Sequence, residues 1–258
     1  MSDTNKWADT FFTEPGWITL HLAYRSYESA VCEVDLIETL LDLPKGASIV
    51  DIPCGPGDHS IELGERGYAV TGVDMSEKIL EIAKSRAADY DIPRDHRPRF
   101  LQGDMRSIKL DSQYDAVLCM WGSFGYFDLP GDVEQLNTIH DLLKPGGKAI
   151  MEFLPLEALL LHYLGHDSIE LGDLVISQVR TYNAPQQSIE SVWEFSKEGE
   201  PKVTRKTSVR LYTVREILKM FGEAGFKDVE FINPETTEKD AEKYTVWASR
   251  TWVRATRA

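Results

Sequence analysis

Apolar residues recur at helical spacing from about Leu20 to Leu41, with Val31, Val34, Ile37, Leu40 and Leu41 on one face. The pattern predicts a helix that Pro44-Lys45-Gly46 ends. Before it, Trp7 to Ile18 is rich in aromatics and interrupted by Pro15-Gly16, which reads as an irregular arm. Ala47 to Ile52 is a short apolar run bounded by glycines and prolines, the signature of a strand buried on both faces.

Strand and helix patterns then alternate. The loop Pro53 to Gly57 leads into a helix from Asp58 to Arg66, closed by Gly67. Ala69 to Val73 is a second strand, Ser76 caps a helix to about Asp89, and Arg99 to Gln102 is a third strand. Tyr114 to Met120 is a fourth strand, Asp132 and Gln135 read as a capping-box start for a helix to Leu143, and Lys148 to Phe153 is a fifth strand after Pro145-Gly146-Gly147. Such alternation requires right-handed crossovers and predicts an α/β fold: a doubly wound, Rossmann-like, mostly parallel seven-stranded sheet with helices on both faces. After Pro155 the pattern changes. Glu157 to Tyr163 is helical, while Leu174 to Tyr182, Ser188 to Phe195 and Val203 to Leu211 predict an antiparallel insertion after strand five. Thr213 caps a last helix to Ala224, closed by Gly225, and Lys227 to Ile232 and Tyr244 to Trp252 complete the sheet.

The 258 residues fit a single domain, divided into an arm or lid (1–32), a cofactor-binding core (33–155), a cap (156–209) and the C-terminal part of the core sheet (210–258). With 28 Lys+Arg against 42 Asp+Glu, the formal charge is −14. That balance opposes phosphate neutralisation, so no nucleic-acid partner is expected. Cys32, Cys54 and Cys119 are odd in number and lack a C-x-x-C pair, which fits a reducing compartment. There is no signal-peptide profile and no apolar run of membrane-spanning length, so the expected setting is the cytoplasm, with no membrane partner.

In an open parallel sheet, ligands bind beyond the carboxyl ends of the strands where strand order reverses. Three strand ends carry suggestive residues: Asp51-Ile52-Pro53-Cys54-Gly55-Pro56-Gly57, Gly72-Val73-Asp74 and Gly103-Asp104-Met105. Glycines permit close backbone approach before a helix N-terminus, Asp74 is placed to accept ribose hydroxyls, and Asp104 is placed to accept an exocyclic amine. Each also has a plain structural role as turn or cap. Ser60 stands where a dinucleotide fingerprint needs its third glycine, and Asp58 follows Gly57 where a Walker loop needs lysine. The acidic flanks suit a ligand with a cationic or amine-bearing portion, such as S-adenosylmethionine.

These segments, with Tyr114-Asp115-Ala116-Val117 and Leu142-Leu143-Lys144-Pro145-Gly146-Gly147, occur in an order and spacing that resembles the class I S-adenosylmethionine-dependent methyltransferases. The resemblance covers roughly Ile49 to Phe153, and Arg210-Leu211-Tyr212 before the last helix resembles the small-molecule branch. It implies that Asp51, Gly55 and Gly57, with backbone groups of Ile52, Pro53 and Cys54, contact the methionine portion. Asp74 would hold the ribose and Met75 pack on the adenine. Asp104 would take the adenine amino group, Met105 the ring edge, and the Met120 carbonyl, beside Trp121, the amino group. Pro53 and Pro56 depart from the broader pattern and remove N–H donors.

Methyl transfer to a small-molecule acceptor follows from the resemblance, nitrogen slightly favoured over oxygen, with S-adenosylhomocysteine as product. Positioning supplies much of such catalysis and no dedicated catalytic residue is obligatory. The candidates for positioning the acceptor are Tyr126, Arg210 and Tyr212, beside Trp121. By analogy, Trp17, Tyr24, Arg25 and Tyr27 fold over the cofactor. A nucleoside-binding regulatory protein without turnover and a nicotinamide-dependent reductase are the rival readings. His162 and His166 stand four apart, but Gly165 and the lack of a clear third ligand argue against a metal site.

Overall fold

A computed structural model describes residues 6–24, 27–234 and 251–258. Two short helices open the described chain, α1 (Lys6–Phe11) and α2 (Pro15–Tyr24), followed by α3 (Tyr27–Leu41). The expected irregular arm is therefore helical. Pro15 is the first residue of α2, where a missing N–H costs nothing, so Pro15-Gly16 starts a helix instead of breaking one. Of the helix expected from Leu20 to Leu41, the described residues are helical in α2 and α3, and residues 25–26 lie outside the described residues.

The core alternates as expected: β1 (Ser48–Asp51), α4 (Asp58–Glu65), β2 (Ala69–Asp74), α5 (Glu77–Ala88), β3 (Arg99–Gln102), β4 (Tyr114–Cys119), α6 (Leu129–Leu142) and β5 (Leu143–Phe153). Then come α7 (Leu156–His162), β6 (His166–Leu171), β7 (Leu174–Asn183), β8 (Ser188–Lys197), β9 (Val203–Arg210), α8 (Val214–Glu223), β10 (Phe226–Ile232) and β11 (Thr251–Arg257). Of the strand expected over Tyr244 to Trp252, residues 244–250 lie outside the described residues, and β11 occupies Thr251–Arg257. Strand β6 was not anticipated. His166 begins β6 whereas His162 ends α7, so the two histidines do not share a helix.

Among the described residues the main sheet has seven strands in the order β10-β11-β5-β4-β1-β2-β3. Only β11 runs against its neighbours, β5 and β10. The two-residue strand period sorts side chains to opposite faces. Val50, Val117 and Met151 face α6 and α8, packing on Leu136, Ile139, Ile217 and Phe221. Ile49, Leu118 and Ile150 face the other way, onto Val34, Ile37 and Leu41 of α3.

Helix α6 starts earlier than expected. Asp128 is its N-cap, accepting from the Gly131 N–H at 3.1 Å, and the Leu129-Pro130 start suits a first turn. That leaves Asp132, the expected cap, free for another use inside the protein. Thr213 caps α8 as expected, with Glu216 completing a reciprocal capping box.

The insertion is a separate antiparallel sheet, β6-β7-β8-β9. One part of it carries an aromatic cluster in which Phe11, Ile176 and Phe195 are buried among Trp7, Phe12, Trp17 and Trp193. At Gly16 a Cβ would lie 2.4 Å from Phe195 Cδ1, so glycine lets α2 close on β8. Arg205 of β9 adds an ion pair to the buried Glu14 at 2.7 Å. Among the described residues, no helix is long and apolar enough to cross a membrane.

Candidate active site

Strand β1 lies between β4 and β2, so the loops after β1 and β4 diverge at the point where strand order reverses. A cavity of about 1110 Å³ opens there. Of the residues singled out in the sequence, it is bordered by Pro53, Cys54, Gly55, Asp74, Met75, Met105, Met120, Trp121 and Tyr126. The helices α1 and α2, with the turn between them, contribute Phe12, Trp17 and His21.

The Gly-rich loop is built for close approach. Gly55 and Gly57 have φ of 53° and 87°, the left-handed region that glycine occupies without strain, and a Cβ at Gly55 would meet nothing within 4 Å. At Gly57 the reason is packing, because a Cβ there would press on Phe100 and Ala83 at 3.1–3.2 Å. The Ile52–Pro53 bond is cis. Cys54 faces the cavity, and burial, reinforced by Asp51 and Asp74, pushes its thiol pKa well up.

Asp74 ends β2 with both carboxylate oxygens anchored. Its Oδ2 accepts the Gly55 N–H at 3.0 Å and its Oδ1 accepts the Ser76 N–H at 2.9 Å. Burial pushes its pKa up against these backbone donors. The Gly-rich loop and the second strand are thus tied together through one carboxylate whose remaining lone pairs border the cavity. The exposed Met75, the partly buried Met105 and the open backbone at Gly55 border the same space as Asp74.

Other expected residues lie outside the lining. Asp51 is buried, and its Oδ2 accepts from Ser60 Oγ at 2.7 Å, so the serine that replaces a third glycine fixes this carboxylate. Asp104 is gripped by Arg106, with Nη2 2.5 Å from Oδ2 and the Arg106 N–H 2.9 Å from Oδ1. Burial works to raise the Asp104 pKa, but the Arg106 guanidinium outweighs it and holds the carboxyl below its ordinary value. Arg106 itself borders the cavity and stacks over Phe127 at 4.2 Å. Arg210 and Tyr212 do not border the cavity; Tyr212 is buried and donates to Asp132 at 2.6 Å. The Tyr24 side chain, that of Tyr27 and all of Arg25 lie outside the described residues.

Sequence reading missed Phe12, His21 and Glu33. His21 stands four residues after Trp17 on α2, so helical periodicity puts both on one face once the arm is known to be helical. His21 Nε2 lies 3.4 Å from Asp58 Oδ2, and Arg86 donates to Asp58 Oδ1 at 2.8 Å. Glu33 Oε2 takes both His59 Nε2, at 2.6 Å, and the Trp121 indole N–H, at 3.2 Å. Trp121 has φ of 63°, an unusual backbone for a bulky residue, and the bond to Glu33 helps hold it there.

Residues 49–147 match the family model of a methyltransferase domain. Over 108 residues the chain is 39% identical to the putative methyltransferase YqeM of Bacillus subtilis strain 168, a match covering 41% of each chain. The chain spans less than half the length of the curated relatives it matches. In structure it is similar to an S-adenosylmethionine-dependent methyltransferase from Clostridium acetobutylicum ATCC 824, with TM-score 0.76 and 16% identity over 98% of both chains. It is also similar to S-adenosylmethionine-bound CalS10, an amino pentose methyltransferase from Micromonospora echinaspora, with TM-score 0.66 and 19% identity over 95% of this chain and 97% of that one. These structural likenesses establish the fold. At residues 49–147 the chain therefore carries a methyltransferase domain, on the class I S-adenosylmethionine-dependent methyltransferase fold.

Proposed function

We propose that this protein transfers the methyl group of S-adenosylmethionine to a small-molecule acceptor, with nitrogen slightly favoured over oxygen. The observation that carries the reading is the Asp74 carboxylate, tied to the Gly55 N–H at 3.0 Å on the edge of the switch-point cavity. Its neighbours Met75 and Met105 suit the adenine, and Pro53, Cys54 and the Met120 end of β4 suit the methionine half. When bound, S-adenosylmethionine supplies a methyl carbon on a sulfonium, which makes it electrophilic. The acceptor lone pair forms the new bond to that carbon while the carbon–sulfur pair returns to sulfur, leaving S-adenosylhomocysteine and a proton to be shed by the methylated product.

The chain's own part is to align and to exclude water. Tyr126, on the loop after β4, faces the cavity, and its burial pushes the phenol pKa above the ordinary value, so it acts as a neutral hydrogen-bonding wall. Arg210 and Tyr212 contribute by holding that loop from outside. In this reading one domain does the work, with residues 1–32 as lid, 33–155 as core, 156–209 as cap and 210–258 closing the sheet. The formal charge of −14 supports a small acceptor over a nucleic acid, and the free Cys32, Cys54 and Cys119 support a reducing, cytoplasmic setting.

The test is turnover of methyl-labelled S-adenosylmethionine with panels of amines and of hydroxylated compounds. Acceptor-dependent formation of S-adenosylhomocysteine, greater with amines, is expected. Tight cofactor binding without consumption in any panel or in a cell extract would contradict transfer.

A further inference from the structure

Five rings form a continuous arc along one wall of the cavity. Tyr126 stands 5.3 Å from Phe12, Phe12 4.9 Å from Trp17, Trp17 5.0 Å from His21, and His21 5.3 Å from Trp121, centroid to centroid. All five border the same space. Two come from the loop after β4 and three from the lid, so the arc exists only where the lid meets the core.

The charges around it have one sign to spare. Acidic lining residues Asp58, Asp74, Glu77 and Asp128 outnumber the basic ones, Lys78 and Arg106. Arg106 is ion-paired to Asp104 at 2.5 Å, while Lys78 donates to the neutral Thr13 carbonyl at 3.1 Å and keeps its charge. The histidines face carboxylates too, His21 on Asp58 and His59 on Glu33. With Arg106 paired to Asp104 and Asp58 paired to Arg86, the remaining lining acids Asp74, Glu77 and Asp128 still outnumber Lys78, so a cation meets the rings in a net negative field that disfavours an anionic acceptor.

We infer that the aromatic arc Tyr126–Phe12–Trp17–His21–Trp121 binds the methyl acceptor as an amine carried on an apolar body, and rejects acceptors bearing a carboxylate or phosphate. This deepens the proposed function and rests on it. An ammonium is drawn to the ring faces, and its neutral form, after loss of the proton to solvent, offers the lone pair for transfer.

The experiment uses the full chain saturated with S-adenosylhomocysteine and titrates three probes of one shape: cyclohexylamine, cyclohexanol and cyclohexanecarboxylate. Cyclohexylamine is expected to bind at least tenfold more tightly than either of the others. Phe12→Leu is expected to narrow that preference fivefold or more while leaving the affinity for S-adenosylhomocysteine within twofold. Equal or absent binding of the amine, or tighter binding of the carboxylate, overturns the inference. The comparison of probes on the unaltered protein decides it even if a variant fails to fold. Failure of S-adenosylhomocysteine to bind at the outset would instead strike the proposed function itself.

Discussion

The Tyr212 hydroxyl donates to Asp132 Oδ2 at 2.6 Å, joining the end of the insertion to the first turn of α6 through a carboxylate with no exposed surface. The other oxygen of Asp132 accepts the Phe127 N–H at 3.2 Å. Tyr126 is therefore carried on a loop whose far side is bonded to a buried acid.

Burial pushes the Asp132 pKa up to about 7, against the Tyr212 hydroxyl, the Phe127 N–H and the Arg210 charge, which all pull it down. An unfolded aspartate ionises near pH ~4, so between there and pH 7 the folded protein keeps a proton that the unfolded chain releases. The stabilisation from that proton is full below pH ~4 and is lost as pH rises through about 7. Thermal melts from pH 5 to pH 8 are expected to fall less steeply for Asp132→Asn than for the parent. Parallel curves would contradict the assignment.

Tyr212→Phe removes one donor from Asp132 and should cost about 1–3 kcal/mol in denaturant unfolding at pH 8, the usual penalty for a buried acceptor left short of a partner. Because neither residue borders the cavity, affinity for S-adenosylhomocysteine should be unchanged. A loss of cofactor affinity as large as the loss of stability would place Tyr212 in the site instead.

Gly125 meets Arg210 backbone to backbone: the Arg210 N–H donates to the Gly125 carbonyl at 2.7 Å. A Cβ on Gly125 would stand 2.0 Å from the Arg210 carbonyl oxygen, and its φ is 85°. Gly125→Ala must move either the loop or the strand, at a cost of at least about 1–3 kcal/mol. Acceptor turnover should fall more than cofactor binding, since Tyr126 is the next residue. A variant with normal stability and turnover would show that the close approach is dispensable.

For the cofactor, Asp74→Ala should weaken S-adenosylhomocysteine binding by about 1–3 kcal/mol, roughly 5- to 150-fold, the range for losing hydrogen bonds to a charged group. Circular dichroism would establish that the variant is folded. An unchanged affinity would remove the ribose role.

The core was legible because each local signal had one outcome. Arg99 to Gln102 is a strand with the bounds the pattern predicts, and Ser76 and Thr213 cap the helices expected of them. Most of what failed depended on tertiary context. Pro15-Gly16 reads as a break, yet α2 begins there and Gly16 packs on Phe195, 179 positions further on. Asp104 occupies the expected turn, and its carboxylate pairs with Arg106 two residues along, a local contact that the strand-end pattern does not show. Tyr212 is polar beside the expected site, yet its hydroxyl turns inward to Asp132. Glu33 gave no local signal, because its partners His59 and Trp121 come from two other segments.

Calorimetric titration of the purified protein with S-adenosylhomocysteine, run beside NADPH, tests the central claim most directly. Micromolar binding of S-adenosylhomocysteine alone is the predicted result. A folded sample that fails to bind it, with and without amine acceptors present, or that binds NADPH instead, would contradict the account.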